Sequence, residues 1–218
     1  MTRKPVKAAA RGGRPSRADA LQLGERILVA ATDLFLAHGY GSTSIEAVAA
    51  RAGVSKRTLY DRFDDKAALF AAVVHRIIGT IRPPPDVPLL AGATLPDILR
   101  RLAKFILQAA LAPQALALHR LLHAEATRFP ELVRAVASDG STREGIDLIG
   151  GLLARELGDA ALSDAARAFA AQQFIFMVVT LPQRLAIGFG PPMSAAELDE
   201  WAERVVRLFL DGARGFGP

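Results

Sequence analysis

Three helix starts fall close together in one stretch of this chain: at Thr43 with Glu46 three residues on, at Ser55, and at Asp64 or Asp65. Each puts a side-chain oxygen where the unpaired N–H groups of a first helical turn need an acceptor. Between the first two lies Ala52-Gly53-Val54-Ser55, a tight turn carrying a glycine. The spacing predicts a short helix through Ile45, Val48 and Ala49, a second from Lys56 to Phe63, and a third from Lys66 through Leu69, Val73 and Ile77 to Ile81. Two short helices joined in this way have the layout of a helix-turn-helix, whose second helix is free to enter a DNA major groove. An ordinary amphipathic helical hairpin shares that periodicity, so residue identity has to separate the two.

On the second helix Leu59 and Phe63 are four apart and point inward. At about 100° per residue, Arg57, Thr58 and Asp61 then lie opposite them, with Lys56 and Tyr60 on one flank. A basic face bearing hydroxyls is what base edges and phosphates require. Charge is distributed in agreement: residues 1 to 66 hold 12 Lys/Arg against 7 Asp/Glu, and the remaining residues hold 15 of each. A basic module joined to a neutral, apolar one is suited to meet a polyanion with the first and itself or a small molecule with the second. A membrane surface or RNA satisfies the charge argument equally.

Upstream, Ile27, Ala31, Leu34 and Phe35 follow a helical period from Leu23 until Gly39 stops it. Residues 1–20 read as a flexible basic arm, either tracking phosphate or minor groove or simply solvated. Residues 21–82 form the helix-turn-helix unit with a connecting helix, closed by Pro83-Pro84-Pro85, and 83–218 form a second unit. Helical patterns there span 94–111, 113–128, 130–157, 163–187 and 194–210, the last opened by a Ser194/Glu197 capping box. No two-residue alternation occurs, so the fold is expected to be all-α with about nine helices. There is no cysteine, which excludes disulfides and thiolate sites and fits a reducing compartment. No secretory signal pattern opens the chain, and the apolar run 168–181, broken by Gln172 and Gln173, is short for a bilayer. A cytoplasmic protein without membrane contact is expected.

The stretch Thr43-Ser44-Ile45, Val48-Ala49, Ala52-Gly53-Val54-Ser55-Lys56, Thr58-Leu59-Tyr60, Phe63, Lys66 and Leu69-Phe70 closely resembles the DNA-binding signature of the tetracycline-repressor-like (TetR/AcrR) family. The resemblance implies an omega-shaped homodimer with two DNA-binding heads and C-terminal helical bundles that dimerise and enclose ligand pockets. It implies double-stranded operator DNA and a small, largely apolar effector as partners. Carried over, Thr43, Tyr60 and Lys66 hold phosphates, and the recognition helix, with Ser44 and Ser55 beside it, supplies Lys56, Arg57 and Thr58. Arg57 stands where the family often has glycine; an arginine there suits either guanine O6 and N7 or a phosphate. Phe129-Pro130-Glu131-Leu132-Val133-Arg134 is similar to a segment in members with multidrug-type or unknown ligands.

His119 and His123 share a helical face, a spacing that can chelate zinc, but no third ligand stands at a defined spacing. They are read as pocket residues and no metal site is expected. Phe169, Gln172, Gln173, Phe176, Met177 and Thr180 lie along one apolar helix, as cavity lining or as core and dimer contacts. The expected ligand set is Phe105, His119, His123, Gln173, Phe176 and Met177. Gly150-Gly151 allows close helix approach or marks a kink. No nucleophile with a placed base and no phosphate-cradling loop stands out, so neither a cofactor nor an enzyme is expected. The reading is a ligand-released repressor on a palindromic operator. Its rivals are a structural DNA-binding protein without ligand control, and a helical small-molecule-binding protein or enzyme.

Overall fold

The computed structural model describes residues 17–81, 94–158 and 162–212. Most of the basic arm and the triple proline lie outside them. Helix α1 runs Arg17–His38, so the last residues assigned to the arm form its first turn. It stops at Gly39, whose φ of +86° suits a residue without a Cβ. Helix α2 follows at Ile45–Ala52, α3 at Lys56–Tyr60 and α4 at Lys66–Ile81. The expected helix to Phe63 ends early: Asp61, Arg62 and Phe63 close a turn by donating to the Arg57 and Leu59 carbonyls.

Beyond the undescribed connection come α5 (Leu95–Ala110), α6 (Pro113–Glu125), α7 (Glu131–Ser138), α8 (Ser141–Leu157), α9 (Asp164–Arg184) and α10 (Ala195–Asp211). The span expected as one helix from 130 to 157 is two, because Asp139-Gly140 breaks it with Gly140 at φ +81°. No strand occurs among the described residues. Pro182 sits inside α9 and has no N–H to give the Val178 carbonyl four residues back. The Trp201 indole of α10 donates to that carbonyl instead, at 2.9 Å. A π-helical turn, Leu185–Phe189, follows the proline and ends at Gly188-Phe189-Gly190. The α9 segment through Phe189 is long and apolar enough to cross a membrane. Its Ala171, Phe174 and Val178 are nevertheless buried in a protein core, and Phe174 meets Phe209 of α10 at 5.0 Å between ring centres.

Two cores hold the described residues, and their membership does not follow chain order. The first joins α1–α4 through Ile27, Phe35, Val48, Leu59, Phe70 and Val73, and also takes in Leu118 and Leu121 of α6 and Leu132 and Ala135 of α7. The second joins α5, α8, α9 and α10 through Ile98, Leu102, Ile149, Phe174 and Val206. Two helices from the C-terminal half thus pack as part of the N-terminal head.

Candidate nucleic-acid interface

The turn between α2 and α3 forms for local reasons. Ser44 caps α2 by accepting from the Ala47 N–H at 3.1 Å. Gly53, at φ +66°, lets its own N–H and that of Val54 return to the Ala50 and Ala49 carbonyls. Ser55 then caps α3, accepting from the Thr58 N–H at 3.0 Å while its hydroxyl pairs with that of Thr58 at 2.8 Å. Leu59 is fully buried and pins α3 to the head. Ser55, Lys56, Arg57 and Tyr60 are left exposed, Tyr60 at 44%, with Thr58 half-buried beside them.

These residues are not equivalent. Lys56 is ion-paired with Glu46 of α2, and its ammonium lies 5.7 Å from the Tyr60 ring centre. The pairing holds the Lys56 pKa above its usual value and the Glu46 pKa below, chiefly through their hydrogen bond. Arg57 is exposed on the same helix. Arg62 is spent on the scaffold, donating to the Ala20 carbonyl of α1 at 2.7 Å.

Two of the expected phosphate ligands make contacts within the head. Thr43 does not cap α2; it is 4% exposed, and its hydroxyl donates to the Leu34 and Gly39 carbonyls at 3.1 and 2.8 Å. The capping role belongs to Ser44, one residue on. Lys66 is half-buried, 3.4 Å from the Gly41 carbonyl and 4.3 Å from the Tyr40 ring centre. Burial lowers its pKa. Asp65 caps α4 by accepting from the Ala68 N–H at 2.7 Å.

Lys66 belongs to a junction that sequence reasoning missed. The Glu125 carboxylate, at the end of α6, accepts from the Tyr40 N–H at 2.9 Å and the Gly41 N–H at 2.6 Å, gripping the loop after α1. A Cβ on Gly39 would stand 2.2 Å from Glu125 Oε1, and one on Gly41 would stand 3.1 Å from both Glu125 Oε2 and Phe129. Tyr40 packs against Phe35, Phe70 and Phe129 with ring centres 5.1 to 5.6 Å apart. Its phenol pKa is pushed up to about 12 by burial first, then by the charge and hydrogen bond of Glu131. The only signal in the chain was the glycine on either side of Tyr40; the carboxylate that needs them lies some 85 residues away.

A groove of about 300 Å³ lies between α8 and α9, floored by Gly150, Gly151, Ala154 and Ala168 and edged by Asp147, Asp164 and Arg167. None of the six expected residues lines it. Phe176 points outward at 48% exposure, while Met177 packs against the second core and Phe105 and Gln173 are half-buried. Periodicity had put Phe176 and Met177 on one helix without saying that they face different neighbours. His119 and His123 do meet, Nε2 to Nε2 at 3.2 Å.

Residues 27–73 match the family model described as bacterial regulatory proteins, tetR family, and residues 97–212 match the C-terminal domain of AefR-like transcriptional repressors. The HTH-type transcriptional activator FasR of Mycolicibacterium smegmatis is 37% identical over 82 residues, which are 36% of this chain and 36% of that protein. The chain thus spans about a third of the length of this curated relative. A solved TetR-family transcriptional regulator from Mesorhizobium loti superposes with a TM-score of 0.71 at 29% identity, covering 90% of this chain and 98% of that one. The flavonoid-responsive regulator FrrA does so with a TM-score of 0.70 at 30% identity, covering 87% and 96%.

Proposed function

The chain belongs to the tetR family of bacterial regulatory proteins, and from that premise we propose that it is a cytoplasmic, homodimeric transcription regulator, a repressor released from a palindromic operator by a small, largely apolar ligand. The observation that carries the DNA-binding reading is the exposed face of α3, where Arg57 and Tyr60 stand beside Ser55, Lys56 and Thr58 while Leu59 anchors the helix. Arg57 reads a guanine edge; Ser44, Ser55, Lys56, Thr58 and Tyr60 position the backbone. Thr43 and Lys66 act behind this face, holding its loop in shape.

The homodimer is assigned to the outer face of α8 and α9. Phe169 and Phe176 are 63% and 48% exposed there and Leu148 is 39% exposed, beside a groove whose glycines and alanines leave room for a partner's side chains. Joining two such faces removes apolar surface from water. It also sets two α3 helices at a fixed separation, which has to match major grooves about 34 Å apart or a multiple of it.

The effector acts through differential affinity for two arrangements of the heads. Supporting this, α6 belongs to the C-terminal half by sequence yet contributes Leu118 and Leu121 to the head's core and Glu125 to the grip on Tyr40 and Gly41. A shift of α6 cannot leave the head in place. The likeness to FrrA supports a small, largely apolar ligand. No enzymatic step enters this reading.

Selection of bound sequences from a random duplex library, at near-physiological salt, is the test. Recovery of one palindrome, lost when Arg57 and Tyr60 are both replaced by alanine, is the expected result. Equal retention of all sequences, or a palindrome unaffected by that double substitution, would defeat the assignment of α3 as the reader.

A further inference from the structure

Helix α6 brings His119 and His123 together one turn apart, their rings at 75° and their centres 4.6 Å apart. The two Nε2 atoms are 3.2 Å apart, close enough to share one proton. That separation has a second meaning. At a metal–nitrogen length of about 2.05 Å it corresponds to an N–metal–N angle of about 100°, between the octahedral and tetrahedral values.

We propose that His119 and His123 form a two-histidine site for a late first-row divalent metal ion, open on its outer side. Imidazole pairs select such ions over calcium or magnesium, and for one fixed donor set copper(II) binds more tightly than zinc. The surroundings are consistent with a ligand role. His123 is exposed, so water or an exogenous donor has access to the remaining positions, and His119 is half-buried. Arg120, between them in sequence, is turned away to the Ala186 carbonyl at 2.9 Å. The nearby Glu125 is committed to Tyr40 and Gly41. No group of three or more His, Asp or Glu side chains placed for a metal exists among the described residues. Protein contributes two ligands and solvent the rest.

The chain suits a direct test because it has four histidines and no cysteine, which keeps background binding low. The full-length protein, stripped with a chelator and dialysed, is titrated with CuCl2 and separately with ZnCl2 by calorimetry in a non-coordinating buffer. One copper per chain is expected, bound more tightly than zinc, with two nitrogen donors in the electron paramagnetic resonance spectrum at one equivalent. His119→Gln with His123→Gln lowers the affinity for either ion by about tenfold or more, whereas His38→Gln with His75→Gln leaves it unchanged. His123→Gln alone, at an exposed position, also loses about tenfold and guards against a folding defect at the half-buried His119. Copper affinity that is the same in the native chain and in the His123→Gln variant, or a spectrum with a single nitrogen donor, would overturn the assignment.

Discussion

Replacing Gly39 with alanine probes the grip of α6 on the head, and Gly53 supplies its control. Both glycines have left-handed backbone, at φ +86° and +66°. An alanine in that region costs about 1 kcal/mol or somewhat more. At Gly53 nothing lies within 4 Å of the added Cβ, so the backbone term is the whole cost. At Gly39 the Cβ would stand 2.2 Å from Glu125 Oε1, and the carboxylate has to swing away from the Tyr40 and Gly41 N–H groups. Hydrogen bonds to a charged acceptor contribute about 1.5 to 3 kcal/mol each when buried, and the exposure of this loop reduces the pair to about 2 kcal/mol. Gly39→Ala should therefore destabilise by about 3 kcal/mol and Gly53→Ala by about 1 kcal/mol. In a Glu125→Ala background the steric conflict is gone, and the cost of Gly39→Ala falls to about 1 kcal/mol. Urea unfolding of the two single glycine variants, Glu125→Ala and the Gly39/Glu125 double variant closes the cycle. Equal costs at the two glycines, or a Gly39→Ala penalty undiminished without Glu125, would refute the argument that the carboxylate is what Gly39 makes room for.

Arg57→Ala should cost about 1 to 3 kcal/mol on the selected operator and relax choice at one base position; a loss uniform across sequences, read by competition binding, would move Arg57 to the phosphate backbone. Tyr60→Phe should weaken all sequences alike and leave the preferred base at every position unchanged. Phe169→Glu with Phe176→Glu should give a monomer by sedimentation with its helical circular dichroism intact; a persistent dimer would place the interface elsewhere. For Tyr40 the folded-state pKa of about 12 exceeds the unfolded value of 10.0. The folded state then holds its proton longer, so stability from this group is complete below pH 10 and is lost as pH climbs from 10 towards 12. Unfolding midpoints should fall across that window in the native chain and less so in Tyr40→Phe; identical pH profiles would remove Tyr40 as the cause.

What the chain determined by itself was local. Helix caps at Ser55 and Ser194, the glycine turn at Gly53, and the inward period of Leu59 are decided by side chains within a few residues of the backbone they serve. They are legible without any partner, and so is the outward face carrying Arg57 and Tyr60. The same locality made the near misses small: Ser44 and Thr43 are both plausible caps, and only packing shows Thr43 turned inward to Leu34 and Gly39. Gly140 was a visible break signal that a continuous apolar period hid. Everything set by distant contacts was left to the tertiary structure. Proline marks where a helix stops, not which face its neighbours cover, so the joining of α6 and α7 to the N-terminal core could not be read from Pro83-Pro84-Pro85. The outward turn of Phe176, the seating of Lys66 over the Tyr40 ring and the Glu125 grip depend on which helices meet. Burial and hydrogen-bond geometry are properties of pairs of surfaces, and the sequence writes down only one surface at a time.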